Sequence, residues 1–124
     1  MSAETIQGEP LKLGDLEEVP GEIDARLRVV AGSNKGRVYP IRESSIVLGR
    51  DEGCHIVVDD PRVSGRHAIV SYRGGEFRVS DLQSTNGSLL NGSPLTESVF
   101  QESDDLRLGK TVIRLEVDFR EPVL

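Results

Sequence analysis

Three short polar segments stand out in this chain: Gly49-Arg50, Ser64-Gly65-Arg66-His67 and Ser84-Thr85-Asn86-Gly87. Arg50 comes just after the apolar run Ile46-Val47-Leu48, so it sits where a buried strand emerges. A guanidinium there offers a planar fork of donors matched to phosphate or carboxylate. Ser64 lies in a loop after Asp59-Asp60-Pro61 and supplies a hydroxyl donor. Thr85 and Asn86 sit in a second turn, adding another hydroxyl and a carboxamide able to hold a peptide backbone. Gly87 permits a positive φ or a close approach of main chains. Together these groups compose a small anion pocket with a peptide clamp, and they contain no nucleophile with its base.

Taken singly, each segment has a plainer reading. An arginine at a strand end is an ordinary solvated charge, and Ser-Thr-Asn-Gly is an ordinary turn. It is their order and spacing that carry information. Ser64, His67 and Asp81 could be drawn as a hydrolase triad, but Ser64 and His67 are too close in sequence and no Gly-x-Ser-x-Gly elbow is present. Cys54-His55 gives two adjacent metal ligands with no second cluster, which is poor geometry for zinc. Cys54 is expected in the core and His55 at the surface. A Gly-x-x-x-x-Gly-Lys-Ser/Thr phosphate loop is absent, so nucleotide hydrolysis has no support. The expectation is a binding protein with no catalytic residues, no metal and no cofactor.

The elements that must position these loops are strands. Valine and isoleucine dominate the apolar residues, alanine is scarce, and 13 glycines and 6 prolines punctuate the chain. Beta-branched residues suit a pleated, half-buried surface, and this balance argues against long helices. Arg26-Leu27-Arg28-Val29 alternates basic and apolar residues, and Arg37 to Ile41 follows a Gly32–Gly36 loop as a second strand. Ile46-Val47-Leu48 reads as a strand buried on both sides. Ile69 to Tyr72 and Glu76 to Leu82 flank Gly74-Gly75, a two-residue hairpin signal, with Phe77 and Val79 inward. Asn91-Gly92 marks another hairpin. Near the end Thr111, Ile113, Leu115, Val117 and Phe119 share one face. Short strands with turn signals roughly every ten residues describe an all-β sandwich. The stretch Leu95 to Leu108 is ambiguous: Leu95 and Val99 lie four apart, which admits a short helical turn.

Charge divides the chain unevenly. The net charge of -6 is carried by residues 1–24, where Glu4, Glu9, Asp15, Glu17, Glu18, Glu22 and Asp24 face only Lys12. The rest of the chain is neutral. The leading segment is read as a disordered acidic tail, being too poor in apolar groups to offset the entropy of ordering. It is either a solubilising leader or a regulatory segment that touches the body. A neutral body with an acidic tail gives no footprint for nucleic acid, which requires a basic face. No apolar run approaches the roughly 18 residues of a membrane span, and the first residues lack a secretory signal. With a single cysteine there is no internal disulfide. A cytoplasmic monomer is expected.

One family unites the polar segments. Gly49-Arg50, Ser64-x-x-His67, Asp81-x-x-Ser84-x-Asn86-Gly87, Asn91-Gly92 and the late Leu106-Arg107-Leu108-Gly109 resemble the forkhead-associated (FHA) domain, in particular small bacterial single-FHA signalling proteins. The resemblance spans Ala25 to Phe119, giving an acidic tail over 1–24, an FHA domain over 25–120 and a C-terminal end at 121–124. It implies a sandwich of about eleven mostly antiparallel strands whose apical loops bind phosphothreonine peptides. By similarity, Arg50 and Ser64 would hold the phosphate with Thr85 as a further contact. Asn86 would bond the peptide main chain, His67 would brace the loops from behind, and Gly49 and Gly87 would shape them. The residue after Ser64 is often polar or basic in the family; here it is Gly65, which either removes one ligand contact or leaves that task to Arg66. Asp104-Asp105 replaces the usual Gly-Asp turn. The implied partners are phosphothreonine-containing proteins, a Ser/Thr kinase or its substrate. Two other readings stay open: a structural interaction sandwich with a spent pocket, and a regulator whose own tail docks in the pocket. The tail holds one threonine, Thr5, and no adjacent threonine pair. As flexible coil, the chain from Thr5 to Asp24 spans on the order of 25 Å, enough to reach across a small domain.

Overall fold

The computed structural model describes residues 18–119. Thr5, most of the acidic tail and the C-terminal end lie outside the described residues. Eleven strands run in chain order: β1 (Ile23–Ala31), β2 (Val38–Pro40), β3 (Ser45–Gly49), β4 (Ile56–Val57), β5 (Ala68–Arg73), β6 (Glu76–Asp81), β7 (Ser88–Leu90), β8 (Ser93–Pro94), β9 (Glu97–Val99), β10 (Asp105–Leu108) and β11 (Thr111–Phe119). They form two sheets, ordered β2-β1-β11-β10-β7-β8 and β4-β3-β5-β6-β9. Every pairing is antiparallel except β3 with β4. This is the all-β sandwich expected from the alternation of the sequence.

The core lies between the sheets. Leu27, Leu106, Ile113 and Leu115 come from one sheet and Leu48, Val70, Val79 and Phe77 from the other, all of them buried. Each such side chain stabilises the fold by about 1.5–3 kcal/mol relative to leaving it in water. The run Ile46-Val47-Leu48 is buried throughout, as its continuous apolar character predicts. Gly74-Gly75 and Asn91-Gly92 both take positive φ at the two hairpin positions, the backbone that matches the twist of the flanking strands.

Two expectations are corrected. β1 begins at Ile23 rather than after residue 24, because Ile23 and Asp24 pair with Phe119 and Asp118 of β11. Leu95 to Leu108 contains no helical turn: β9 joins the open edge of β6 through Arg78↔Val99 and Ser80↔Glu97. Phe100 then closes on the core, its N–H donating to Phe77 O at 2.8 Å. A sheet edge satisfies more backbone groups than an isolated turn of helix, so the extended form prevails.

β3 ends, β5 begins, β6 ends and β7 begins at one end of the sandwich, together with the β10–β11 turn. The connections at this apex carry all three polar segments. At the opposite end β1 starts and β11 finishes side by side.

Candidate functional site

The apex is knitted by main-chain hydrogen bonds between the end of β3 and the loop preceding β5. His67 N donates to Leu48 O at 2.8 Å, Arg50 N to Ser64 O at 3.0 Å and Asp51 N to Gly65 O at 3.0 Å. This ladder sets Arg50 beside Ser64. It also explains Gly49, since a Cβ there would fall within the contact shell of the Gly65 carbonyl oxygen. Gly65 itself faces the Asp51 carboxylate, where a Cβ would come within 2.8 Å of Oδ2.

His67 is fully buried and ties the second loop to the third. Its Nδ1 accepts from Ser64 N–H at 3.0 Å, which leaves Nε2 as the protonated nitrogen, donating to Gly87 O at 2.9 Å. Its main-chain oxygen also accepts from Leu82 N at 2.8 Å. Ser64 Oγ accepts from Thr85 N–H at 3.0 Å, so its own proton is left to donate to another acceptor. His67 therefore reaches the backbone of Ser64 and not its hydroxyl, which is not the arrangement of a nucleophile and its base.

Asp81 shapes the loop that presents Thr85 and Asn86. Its Oδ1 accepts from Ser84 Oγ and Ser88 Oγ at 2.6 Å each, its Oδ2 accepts from Ser84 N at 2.9 Å, and Ser84 Oγ accepts from Gly87 N at 2.9 Å. Burial alone would raise its pKa, but the Ser84 and Ser88 hydroxyls and the Ser84 N–H outweigh it and hold the carboxyl below the usual range. Gly87 takes φ +80 at the close of this turn.

Among the residues expected at the site, Arg50, Ser64, Thr85, Asn86, Gly49, His67 and Gly87 gather at the apex through these bonds. The Arg50 guanidinium leans across the β4–β5 loop, with Nη1 3.4 Å from Pro61 O, and has no carboxylate partner among the described residues. Thr85 and Asn86 are exposed. Asn86 Nδ2 donates to Arg62 O at 2.8 Å, which orients the amide and leaves its oxygen open. Arg66 is exposed and has no hydrogen bond or ion pair among the described residues. Cys54 is buried, as expected; its Sγ donates to Gly65 O at 3.2 Å, and burial pushes the thiol pKa up. His55 is exposed, bonded to Val47 N and Glu43.

Asp60 was not singled out in the sequence. It is buried, and its carboxylate accepts from Arg62 N at 2.9 Å and Lys110 N at 2.8 Å, fastening the β4–β5 loop to the β10–β11 turn. Those N–H groups, Lys110 first, hold its carboxyl below the ordinary range. The Asp-Pro-Arg pattern, typical of a side chain bonding its own backbone two residues on, was the available signal.

The arginines of the body differ in their partners. Arg26, Arg28, Arg78 and Arg114 lie on the sheet faces within 2.8–3.1 Å of carboxylates. The arginines around the apex lack such close partners.

Comparisons with known proteins agree with this geometry. The family described as inner membrane component of T3SS, cytoplasmic domain, matches residues 28–118. The glycogen accumulation regulator GarA of Mycolicibacterium smegmatis is 36% identical over 86 residues, 69% of this chain and 54% of GarA. The oxoglutarate dehydrogenase inhibitor of Corynebacterium efficiens is 36% identical over 86 residues, 69% of this chain and 61% of the inhibitor. The matched region thus spans little more than half the length of these relatives. An FHA domain solved in a structural and functional analysis of phosphothreonine-dependent FHA interactions has a TM-score of 0.69 and 30% identity, covering 81% of this chain and 99% of that one. The FhaA FHA domain, solved in complex with the intracellular domain of Rv3910, has a TM-score of 0.68 and 32% identity over 74% of this chain and 99% of that one. With its two sheets, its apical loops and these relatives, the chain belongs to the forkhead-associated domain family.

Proposed function

We propose that this protein binds phosphothreonine peptides at its apex and mediates phosphorylation-dependent protein–protein contacts in Ser/Thr kinase signalling. The observation that carries the reading is the hydrogen-bonded junction of Arg50, Ser64 and Thr85, in which Arg50 N donates to Ser64 O and Thr85 N to Ser64 Oγ while the Arg50 guanidinium has no carboxylate partner among the described residues. A phosphothreonine brings about −1.5 to −2 charges and three acceptor oxygens at neutral pH. Arg50 supplies the charge-assisted fork, Ser64 Oγ–H and Thr85 Oγ–H donate to the remaining oxygens, and Arg66 adds to the local positive field. Asn86, oriented by Arg62 O, bonds the peptide main chain. The protein acts by binding rather than by catalysis, in keeping with a His67 that bonds backbone on both sides.

The partner is a phosphothreonine-containing protein, either a kinase or its substrate. A solved relative complexed with an intracellular domain, and another solved in an analysis of phosphothreonine-dependent interactions, support this class. Two relatives named as a regulator and an inhibitor favour a second reading, in which a phosphorylated Thr5 tail occupies the same pocket. Among the described residues no helix is long and apolar enough to cross a membrane, and an unpaired buried cysteine fits the reducing cytoplasm.

The test is titration with phosphothreonine peptides and matched unphosphorylated controls, repeated with Arg50→Ala. Loss of a charge-assisted bond worth about 1.5–3 kcal/mol weakens phosphopeptide binding roughly 10- to 150-fold. Equal binding of both peptide sets would instead favour a structural interaction domain with a spent pocket.

A further inference from the structure

A cleft of about 220 Å³ opens on the flank of the sandwich, where edge strand β2 of one sheet faces edge strand β4 of the other. None of Arg50, Ser64, Thr85 and Asn86 lines it. Its walls are apolar: Leu27, Ile41, Ile46 and Ile56 form a buried floor and Tyr39 a half-buried side. The space exceeds the roughly 150 Å³ of an apolar cavity that admits benzene, so it accepts an aliphatic side chain. We propose that the occupant is this chain's own segment Asp15-Leu16-Glu17, with Leu16 seated in the cleft and a neighbouring carboxylate on Arg42. The contact needs no phosphate and is independent of the phosphopeptide reading. It clasps the leading segment to the flank and leaves the apex open to a partner.

Chain geometry brings Leu16 to the cleft. The described residues begin at Glu18, directly after Leu16 and Glu17. Val19 packs against the core, and Ile23 N donates to Pro20 O at 3.0 Å, turning the chain into β1. Ile41, on the cleft floor, donates its N–H to Ala25 O at 2.9 Å, so the cleft meets β1 close to its start at Ile23. Extended chain advances about 3.3 Å per residue. Ala25 is therefore about 7 Å from Ile23, and Leu16 has a reach of about 10 Å from Val19.

The rim carries the matching charge. Glu43 is already engaged: His55 Nδ1 accepts from Val47 N–H at 3.0 Å, which leaves Nε2 as donor to Glu43 Oε1 at 3.2 Å. Arg42 is exposed at the same rim and has no carboxylate partner among the described residues. The rim's acid is thus taken and its cation is left over, while the segment within reach brackets its leucine with Asp15 and Glu17. Leu16 gains by leaving water for an apolar floor, and pairing at the rim fixes the register. The contact orders only a few residues, so the entropic cost stays local and the longer acidic segment need not fold.

The experiment places a nitroxide on Gly14→Cys in the full chain and reads paramagnetic broadening of backbone amides by NMR. Cys54 is buried and escapes the label, which mass spectrometry of the labelled chain checks. The amides of Arg42, Glu43 and His55 are expected to broaden more than those of Thr85 and Asn86. Leu16→Ser removes that flank broadening while the amides of the core keep their shifts. Arg42→Glu weakens it, and adding Asp15→Lys and Glu17→Lys restores it. Broadening that is even over the surface, that is strongest at Thr85 and Asn86, or that survives Leu16→Ser would overturn the proposal. So would equal broadening of an isotope-labelled chain by a separate spin-labelled chain mixed with it, because the occupant is then a second copy. No phosphopeptide enters these measurements, so their failure leaves the apical function standing.

Discussion

Replacing His67 tests whether the apex is held from beneath. The imidazole is fully buried and makes two hydrogen bonds to backbone, from Ser64 N–H and to Gly87 O. In His67→Ala the Ser64 N–H loses its acceptor in a partly buried place, at a cost of about 1–3 kcal/mol. Gly87 is exposed, so water can replace the donor to its carbonyl and that loss is small. The vacated volume adds roughly 2 kcal/mol, as for other large-to-small core changes. The total of about 3–5 kcal/mol is a large part of a typical domain stability of about 5–15 kcal/mol. For a domain of this size it lowers Tm by roughly 15 °C or more. His67→Phe separates the causes: it refills the space but restores neither backbone bond, so part of the stability returns while peptide affinity does not. Thermal and urea unfolding, with anisotropy titrations below each variant's transition, read the two quantities. Phosphopeptide affinity in folded His67→Phe equal to that of the native chain would refute the claim that this tether positions Ser64 and the Asn86 loop.

Two more outcomes follow from the same geometry. Gly49→Ala forces the Gly65 carbonyl away, breaking the ladder beside Arg50; it should cost about 1–3 kcal/mol by denaturant titration and weaken phosphopeptide binding more than Gly53→Ala, where nothing lies within 4 Å. Asp60, Asp81 and Glu116 all have depressed pKa values, the last through Arg28, against burial, and then Arg26. Their stabilisation is complete above the unfolded carboxylate range near about 4 and is lost as pH falls through their lower folded values, so the melting temperature should drop below about pH 4. Asp60→Asn should flatten that acid limb, and melts across pH at constant ionic strength that superimpose in shape on the native curve would refute the assignment.

The gathering of the polar segments at one end was legible where chemistry and spacing coincide. Arg50, Ser64, Thr85 and Asn86 each follow a strand end or occupy a turn, and alternation in the flanking residues fixes which end of the sandwich that is. Other features depend on partners distant in sequence. Arg107 within Leu106-Arg107-Leu108 reads as an ordinary solvent-facing strand residue; only the pairing of Asp105 with Arg114 shows that its neighbouring carboxylate is taken. The need for Gly49 arises from Gly65, which reaches it through the fold. Leu95 to Leu108 misled because a four-residue spacing of apolar groups also suits a chain running along the β6 edge. The two-residue β4 carries too little periodicity to register at all.

Ile23 and Phe119 stand opposite each other at the base, and their strands run nine residues each toward the binding end, about 30 Å away. The described chain therefore enters and leaves through one doorway, with its mouth facing the other way. Such a unit can be spliced into a surface loop of an unrelated protein, or have its ends joined and be reopened elsewhere, while its grip on a ligand stays unobstructed.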